Sequence, residues 1–142
     1  VKSQMDSGMF KPLQLAAVQA LAQGPEWFSQ LNEEYRRRRV LAGRIFDLLG
    51  AEYDHNSTGM FLWGRVGDLP EPPCHFERPV GVGKSAGEQL SDRILHKAGV
   101  FITPGFIFGK NGEDYIRISL CAKPQVLEEA YDRISAVQAK LL

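Results

Sequence analysis

The stretch from Gly24 to Gly50 carries the pattern of one long helix, and that helix limits what the rest of the chain can fold into. Gly24-Pro25-Glu26 supplies a break, a proline suited to a first turn, and an acid near the positive end of the helix dipole. Trp27, Leu31, Tyr35, Ala42, Ile45, Phe46 and Leu49 then recur at helical spacing until Gly50 ends the run. Unbroken, such a helix runs roughly 35 to 40 Å at about 1.5 Å per residue, more than a small domain usually needs. It is expected to bridge two bodies.

The flanking segments fill in the remainder. Pro12 followed by LQLAAVQALAQ predicts a short buried helix that stops at Gly24. After Gly50, Ala51 to Asp54 reads as a short strand, His55 to Gly59 as a loop, and MFLWGRV as a strand with both faces largely covered. GDLPEPPCHFERPVGVGKSAG holds most of the prolines and is expected to be a long surface connection near a partner or a site. Ser85-Ala86-Gly87-Glu88 has capping-box spacing, Leu90, Ile94, Leu95 and Ala98 form the inner stripe of the helix it starts, and Gly99 closes it. Val100 to Ile102 reads as a strand, FIFG leads to a turn over Lys110 to Asp114, YIRISL is a second strand, and Pro124 begins a final helix carrying Leu127, Ala130, Tyr131, Ile134 and Val137. This order predicts an α+β body, a small and largely antiparallel sheet covered by helices on one face.

Composition narrows the partners. The 142 residues are 44% hydrophobic, enough for one ordinary domain with an appendage, and 17 basic residues balance 17 acidic ones. With no net field to attract nucleic acid or an anionic membrane, neither partner is expected, and a charged ligand must be recognised locally. Cys74 and Cys121 are far apart and form no CxxC pair, which fits a reduced, cytoplasmic protein. No apolar stretch approaches a membrane span, and VKSQMDSG lacks the form of a signal peptide. A first residue of Val1 is expected to mark a cut piece of something longer.

Arg117 is the most informative single residue. In Tyr115 to Leu120 the period-two alternation sends Ile116 and Ile118 to one face and Arg117 to the other. A guanidinium on a rigid strand can grip a carboxylate through two parallel hydrogen bonds, although a strand arginine that merely faces solvent is the commoner case. The run Arg36 to Arg39 fans out around its helix and reads as a solvated, partly paired surface, with Glu33 and Glu34 at pairing distance from Arg37 and Arg38. Gly81 to Ser85 imitates a phosphate-binding loop, but Arg78 stands where its first glycine is required. His55, His75 and His96 have no metal-ligand spacing, no G-x-S-x-G elbow is present, and nothing marks Asp47, Glu52 and Asp54 as an acid/base set. No metal site is expected.

The segment GVFITPGFIFGKNGEDYIRISLC resembles the end of the class I/II aminotransferases, of the aspartate-aminotransferase superfamily of fold type I pyridoxal-phosphate enzymes. MDSGMFKPLQLAAVQAL, EYRRRRVLAGRIFDLLG and TGMFLWGRV are similar to that family in the same order, so the likeness covers nearly the whole chain and is weakest from Gly67 to Lys84. The resemblance implies residues 1–24 as the tail of a large cofactor-binding domain, 25–50 as the connecting helix and 51–142 as the C-terminal small domain.

It further implies a homodimeric enzyme that moves an amino group between an amino acid and a 2-oxo acid using pyridoxal phosphate. Arg117 would bind the substrate α-carboxylate, and Ser7 would contact the cofactor of the neighbouring subunit. The catalytic lysine would lie upstream; Lys2 lacks its context, so no catalytic residue is expected here and the chain alone is expected to be inactive. Two alternatives remain at this point: another pyridoxal-phosphate enzyme of the same fold, a lyase or decarboxylase, and a free-standing anion-binding module built around Arg117.

Overall fold

The computed structural model describes residues 9–67 and 83–138. The chain falls into two compact units, Val1–Glu34 and Tyr35–Leu142. In the first, helix α1 spans Lys11–Leu21 with Pro12 in its opening turn, where a missing N–H costs nothing. None of its residues is buried, and Leu13, Leu15, Val18 and Leu21 are all exposed. The sequence predicts a buried helix here; among the described residues of its own unit there is no sheet and no buried residue for α1 to pack against. Helix α2, Pro25–Leu49, is a continuous 25 residues, about 37 Å long. Its residues through Glu34 fall in the first unit, where Trp27 and Phe28 meet edge to face at 5.0 Å.

From Tyr35 onward α2 belongs to the second unit and buries Ala42, Ile45, Phe46 and Leu49. Among the described residues four strands form one antiparallel sheet: β1 Glu52–Tyr53, β2 Phe61–Arg65, β3 Thr103–Pro104 and β4 Tyr115–Ser119, in the spatial order β1-β2-β4-β3. Helix α3 spans Ala86–Ala98 and helix α4 Pro124–Val137. Leu62, Ile116 and Ile118 point from the sheet into the core, where they join Phe46 of α2, Leu90 and Ile94 of α3, and Leu127 and Ile134 of α4. Gly64 leaves room for the Phe46 ring, since a Cβ there would stand 3.1 Å from it. The fold is the α+β body expected, with helices on one face of the sheet.

Local signals explain the element ends. The Ser85 hydroxyl accepts from the Glu88 N–H at 3.3 Å, and Gly99 closes α3 in the left-handed region at φ 65°. Three details differ from expectation. Leu95 is exposed, and Gly87 and Ser91 take inward places on α3 instead, because Ser91 donates its hydroxyl hydrogen to the Ile102 carbonyl. The strand expected at Val100 to Ile102 pairs only over Thr103–Pro104, where β4 lies alongside. β2 is covered on one face only, with Leu62 and Gly64 inward and Phe61, Trp63 and Arg65 outward.

Two of the four consecutive arginines are structural. Arg38 donates to the Leu120 carbonyl at 3.1 Å, tying α2 to the end of β4, and Arg39 donates to the Gly59 carbonyl at 3.0 Å in the β1–β2 loop. Phe46 is the largest fully buried side chain among the described residues. Replacing it in Phe46→Ala is expected to lower unfolding stability by about 3–5 kcal/mol through lost burial and a residual cavity. Urea denaturation measures this, and a loss under about 1 kcal/mol would mean that α2 and the sheet are not packed as described.

Candidate functional site

The outer face of the sheet is built by the residues that the core rejects. In β4 the alternation that buries Ile116 and Ile118 sends Tyr115, Arg117 and Ser119 outward, and in β2 it sends out Phe61, Trp63 and Arg65. The register sets Trp63 directly opposite Arg117 on one side and Thr103 opposite it on the other. Arg117 therefore stands on an inner strand, half-buried, with its backbone fixed by ladders on both flanks.

Around its guanidinium the neighbours are rings. The Arg117 ζ carbon lies 4.2 Å from the Phe61 ring centre, 4.1 Å from that of Phe108 and 5.9 Å from that of Trp63, within cation–π reach of all three. Trp63 meets Phe108 edge to face at 5.3 Å and Tyr115 at 6.3 Å. Phe61, Trp63 and Phe108 each keep more than a third of their surface exposed, which leaves an aromatic face with one cation set into it. Arg117 Nε is buried without a hydrogen-bond partner, alone in this among the described side-chain nitrogens and oxygens. A buried donor left in that state is costly, and the Nη groups beside it are the ones left for an anion.

Phe108 reaches this site through a tight backbone arrangement. Gly105–Phe108 and Lys110–Gly112 are 3₁₀ turns joined by Gly109, whose φ of 118° is a conformation that side chains disfavour. Gly105 and Gly112 are in backbone contact, so close that a Cβ on either would run into the other's carbonyl. The Gly112 N–H donates to the Gly109 carbonyl at 2.9 Å and closes the second turn.

Other candidate residues are placed elsewhere or beyond view. Lys84 is paired with Asp92 and lies 3.9 Å from Glu88, and Ser85 caps α3, so these two residues serve the start of a helix. His55 packs on the Tyr53 ring at 4.3 Å. Ser7, Lys2, Cys74, His75 and nearly all of the proline-rich connection, residues 68–82, lie outside the described residues. Among the described residues no group of three His, Cys, Asp or Glu side chains could hold a metal ion, and no helix is long and apolar enough to cross a membrane. The sequence reading singled out Arg117 and missed Phe61, Trp63 and Phe108; the period-two parity of MFLWGRV was the available signal for the first two.

Comparison with known proteins converges on one family. The model of the family described as aminotransferase class I and II matches residues 1–134. The chain is 34% identical over 135 residues to an LL-diaminopimelate aminotransferase of Nitratidesulfovibrio vulgaris (strain DSM 19637 / Miyazaki F), a match covering 95% of this chain and 31% of that protein. It is 34% identical over 137 residues to the protein of the same name from Oleidesulfovibrio alaskensis, covering 96% and 31%. The chain thus spans about a third of the length of these curated relatives. Among solved structures, apo BacF from Bacillus subtilis superposes with a TM-score of 0.71 at 29% identity, covering 96% of this chain and 33% of that one. An aromatic aminotransferase from Pyrococcus horikoshii OT3 gives 0.66 at 29%, covering 91% and 32%.

The backbone contact behind Phe108 is open to test on the chain itself. Gly105→Ala is expected to cost about 1–3 kcal/mol, as overpacking does, and to change the near-ultraviolet circular dichroism of the aromatic cluster. An unchanged spectrum and unchanged stability would contradict the close approach of the two glycines.

Proposed function

The chain belongs to the aminotransferase class I and II family, and on that premise we propose that it is the C-terminal part of a pyridoxal-phosphate-dependent aminotransferase in which Arg117 binds the substrate α-carboxylate. In this reading residues 1–24 end the cofactor-binding domain, 25–50 form the connecting helix and 51–142 the small domain. The intact enzyme works as a homodimer on an amino acid and a 2-oxo acid. The lysine that binds the cofactor lies in the two thirds of the relatives' length that this chain does not span.

The observation that carries the reading is Arg117 itself, a guanidinium on an inner strand with a buried, unpartnered Nε and no acidic partner among the described residues. These residues suit a carboxylate better than the cofactor's phosphate. A phosphate dianion calls for several converging N–H donors, whereas the open face offers one guanidinium among three rings. Pyridoxal phosphate, when bound, supplies the electron sink for the reaction.

This chain's residues orient the substrate. Two hydrogen bonds from the guanidinium to the carboxylate fix the plane of that group, and with it the direction of the other bonds at the α carbon. The aromatic wall beside the guanidinium lowers the local dielectric, which strengthens the ion pair. Apolar surface on α1 and on Trp27, Phe28 and Leu31 of α2 is exposed, and in this reading it packs against the cofactor-binding domain.

Two outcomes test the proposal. In the holoenzyme, Arg117→Gln removes two charge-assisted hydrogen bonds worth about 1.5–3 kcal/mol each, so kcat/KM is expected to fall roughly 100-fold or more for the amino acid and the 2-oxo acid alike. Arg117→Lys should restore little of it, because an ammonium cannot reproduce the planar fork. A Gln variant with unchanged kcat/KM would end the assignment. The 142-residue chain by itself, mixed with pyridoxal phosphate, an amino acid and a 2-oxo acid, is expected to transfer no amino group; turnover would contradict the placing of the lysine outside it.

A further inference from the structure

A carboxylate-binding arginine must hold one orientation without giving its charge to a neighbour. An aspartate beside Arg117 would fix it but would also compete with the substrate for the same N–H groups. Among the described residues no carboxylate pairs with Arg117, and the Phe61 and Phe108 rings, each close to 4 Å from its ζ carbon, take that place. The two rings come from different elements, Phe61 from β2 and Phe108 from the 3₁₀ turn, and meet at the same ζ carbon. A ring attracts a guanidinium without taking up its N–H groups as a carboxylate would, so those groups stay available to a ligand.

Of those groups, Nε is buried, whereas neither Nη nitrogen is among the buried atoms without a partner. The side left open is therefore the end-on fork, the geometry that accepts both oxygens of a carboxylate. Each ring is itself fixed. Phe61 is held by the β2–β4 ladder, where it pairs with Ser119, two residues from Arg117. Phe108 ends the 3₁₀ turn that begins at Gly105, whose backbone is fixed by the Gly105–Gly112 contact, and its ring meets Trp63 edge to face at 5.3 Å.

We propose that Phe108, together with Phe61, is a positioning residue for substrate binding: the two rings hold the Arg117 guanidinium so that its Nη edge faces the substrate carboxylate. The inference rests on the carboxylate reading of Arg117 and adds a requirement to it. Removing a ring leaves the charge in place but frees its orientation, so the loss should be confined to ligands that carry a carboxylate. Phe108 is half exposed, and its truncation leaves the core intact.

The test uses the holoenzyme with Phe108→Ala, Phe108→Tyr and Arg117→Gln in parallel, and two classes of probe. One is the amino-acid substrate; the other is the amine that lacks only its carboxylate, read as an inhibitor. Phe108→Ala is expected to raise KM for the amino acid roughly tenfold, with cofactor absorbance and amine inhibition unchanged, and Phe108→Tyr to recover most of the loss. If Phe108→Ala weakens the amine as much as the amino acid, or leaves both unchanged while Arg117→Gln raises KM, the positioning role is overturned and the carboxylate reading survives. If Arg117→Gln itself leaves the amino-acid KM unchanged, the carboxylate reading fails and the positioning role fails with it.

Discussion

The alternation of β4 is the constraint on which both the fold and the site depend. Ile116 and Ile118 must enter the core that Phe46, Leu90, Ile94 and Ile134 complete, and a strand with two inward anchors sends the residue between them outward. A register slip of one residue would bury a guanidinium and expose two isoleucines, so the packing energy of the core is also what aims Arg117. The neighbouring ladders to β2 and β3, and the Arg38 bond to the Leu120 carbonyl, prevent the strand from drifting along its axis.

On the outward side the same alternation in β2 delivers two aromatic residues beside that arginine, and a third comes from a different part of the chain. Phe108 arrives on a 3₁₀ turn whose form depends on three glycines, Gly105, Gly109 and Gly112, two of them in backbone contact and one at positive φ. The outcome is a cation set among three rings with no acidic partner among the described residues. In the proposed role two duties are separated: ring contacts orient the guanidinium, and its hydrogen bonds stay free for the ligand.

Much of this was legible in the chain because it depends on near neighbours in sequence. The 25-residue helix, its glycine stops, the serine cap of α3 and the outward aim of Arg117 all follow from spacing and local chemistry. What escaped depends on distant pairing. Arg38 and Arg39 look like a solvated run until the ends of β4 and β2 are brought beside them. Phe61 and Phe108 lie 47 positions apart, and only the β2–β4 register and the glycine contact bring them to one guanidinium. Leu95 reads as core by helical spacing, yet the polar Ser91 takes an inward place because the Ile102 carbonyl gives it a partner. The exposed α1 has the composition of a buried helix, which agrees with a protein whose relatives are about three times as long as this chain.

The most direct test of the central claim is a crystal structure of the full-length enzyme with pyridoxal phosphate and a bound amino-acid analogue. The account predicts the analogue's carboxylate within about 3 Å of both Nη nitrogens of Arg117, with the Phe61 and Phe108 rings still against the guanidinium. A carboxylate bound elsewhere, with Arg117 paired to an acidic side chain of the rest of the enzyme, would contradict it.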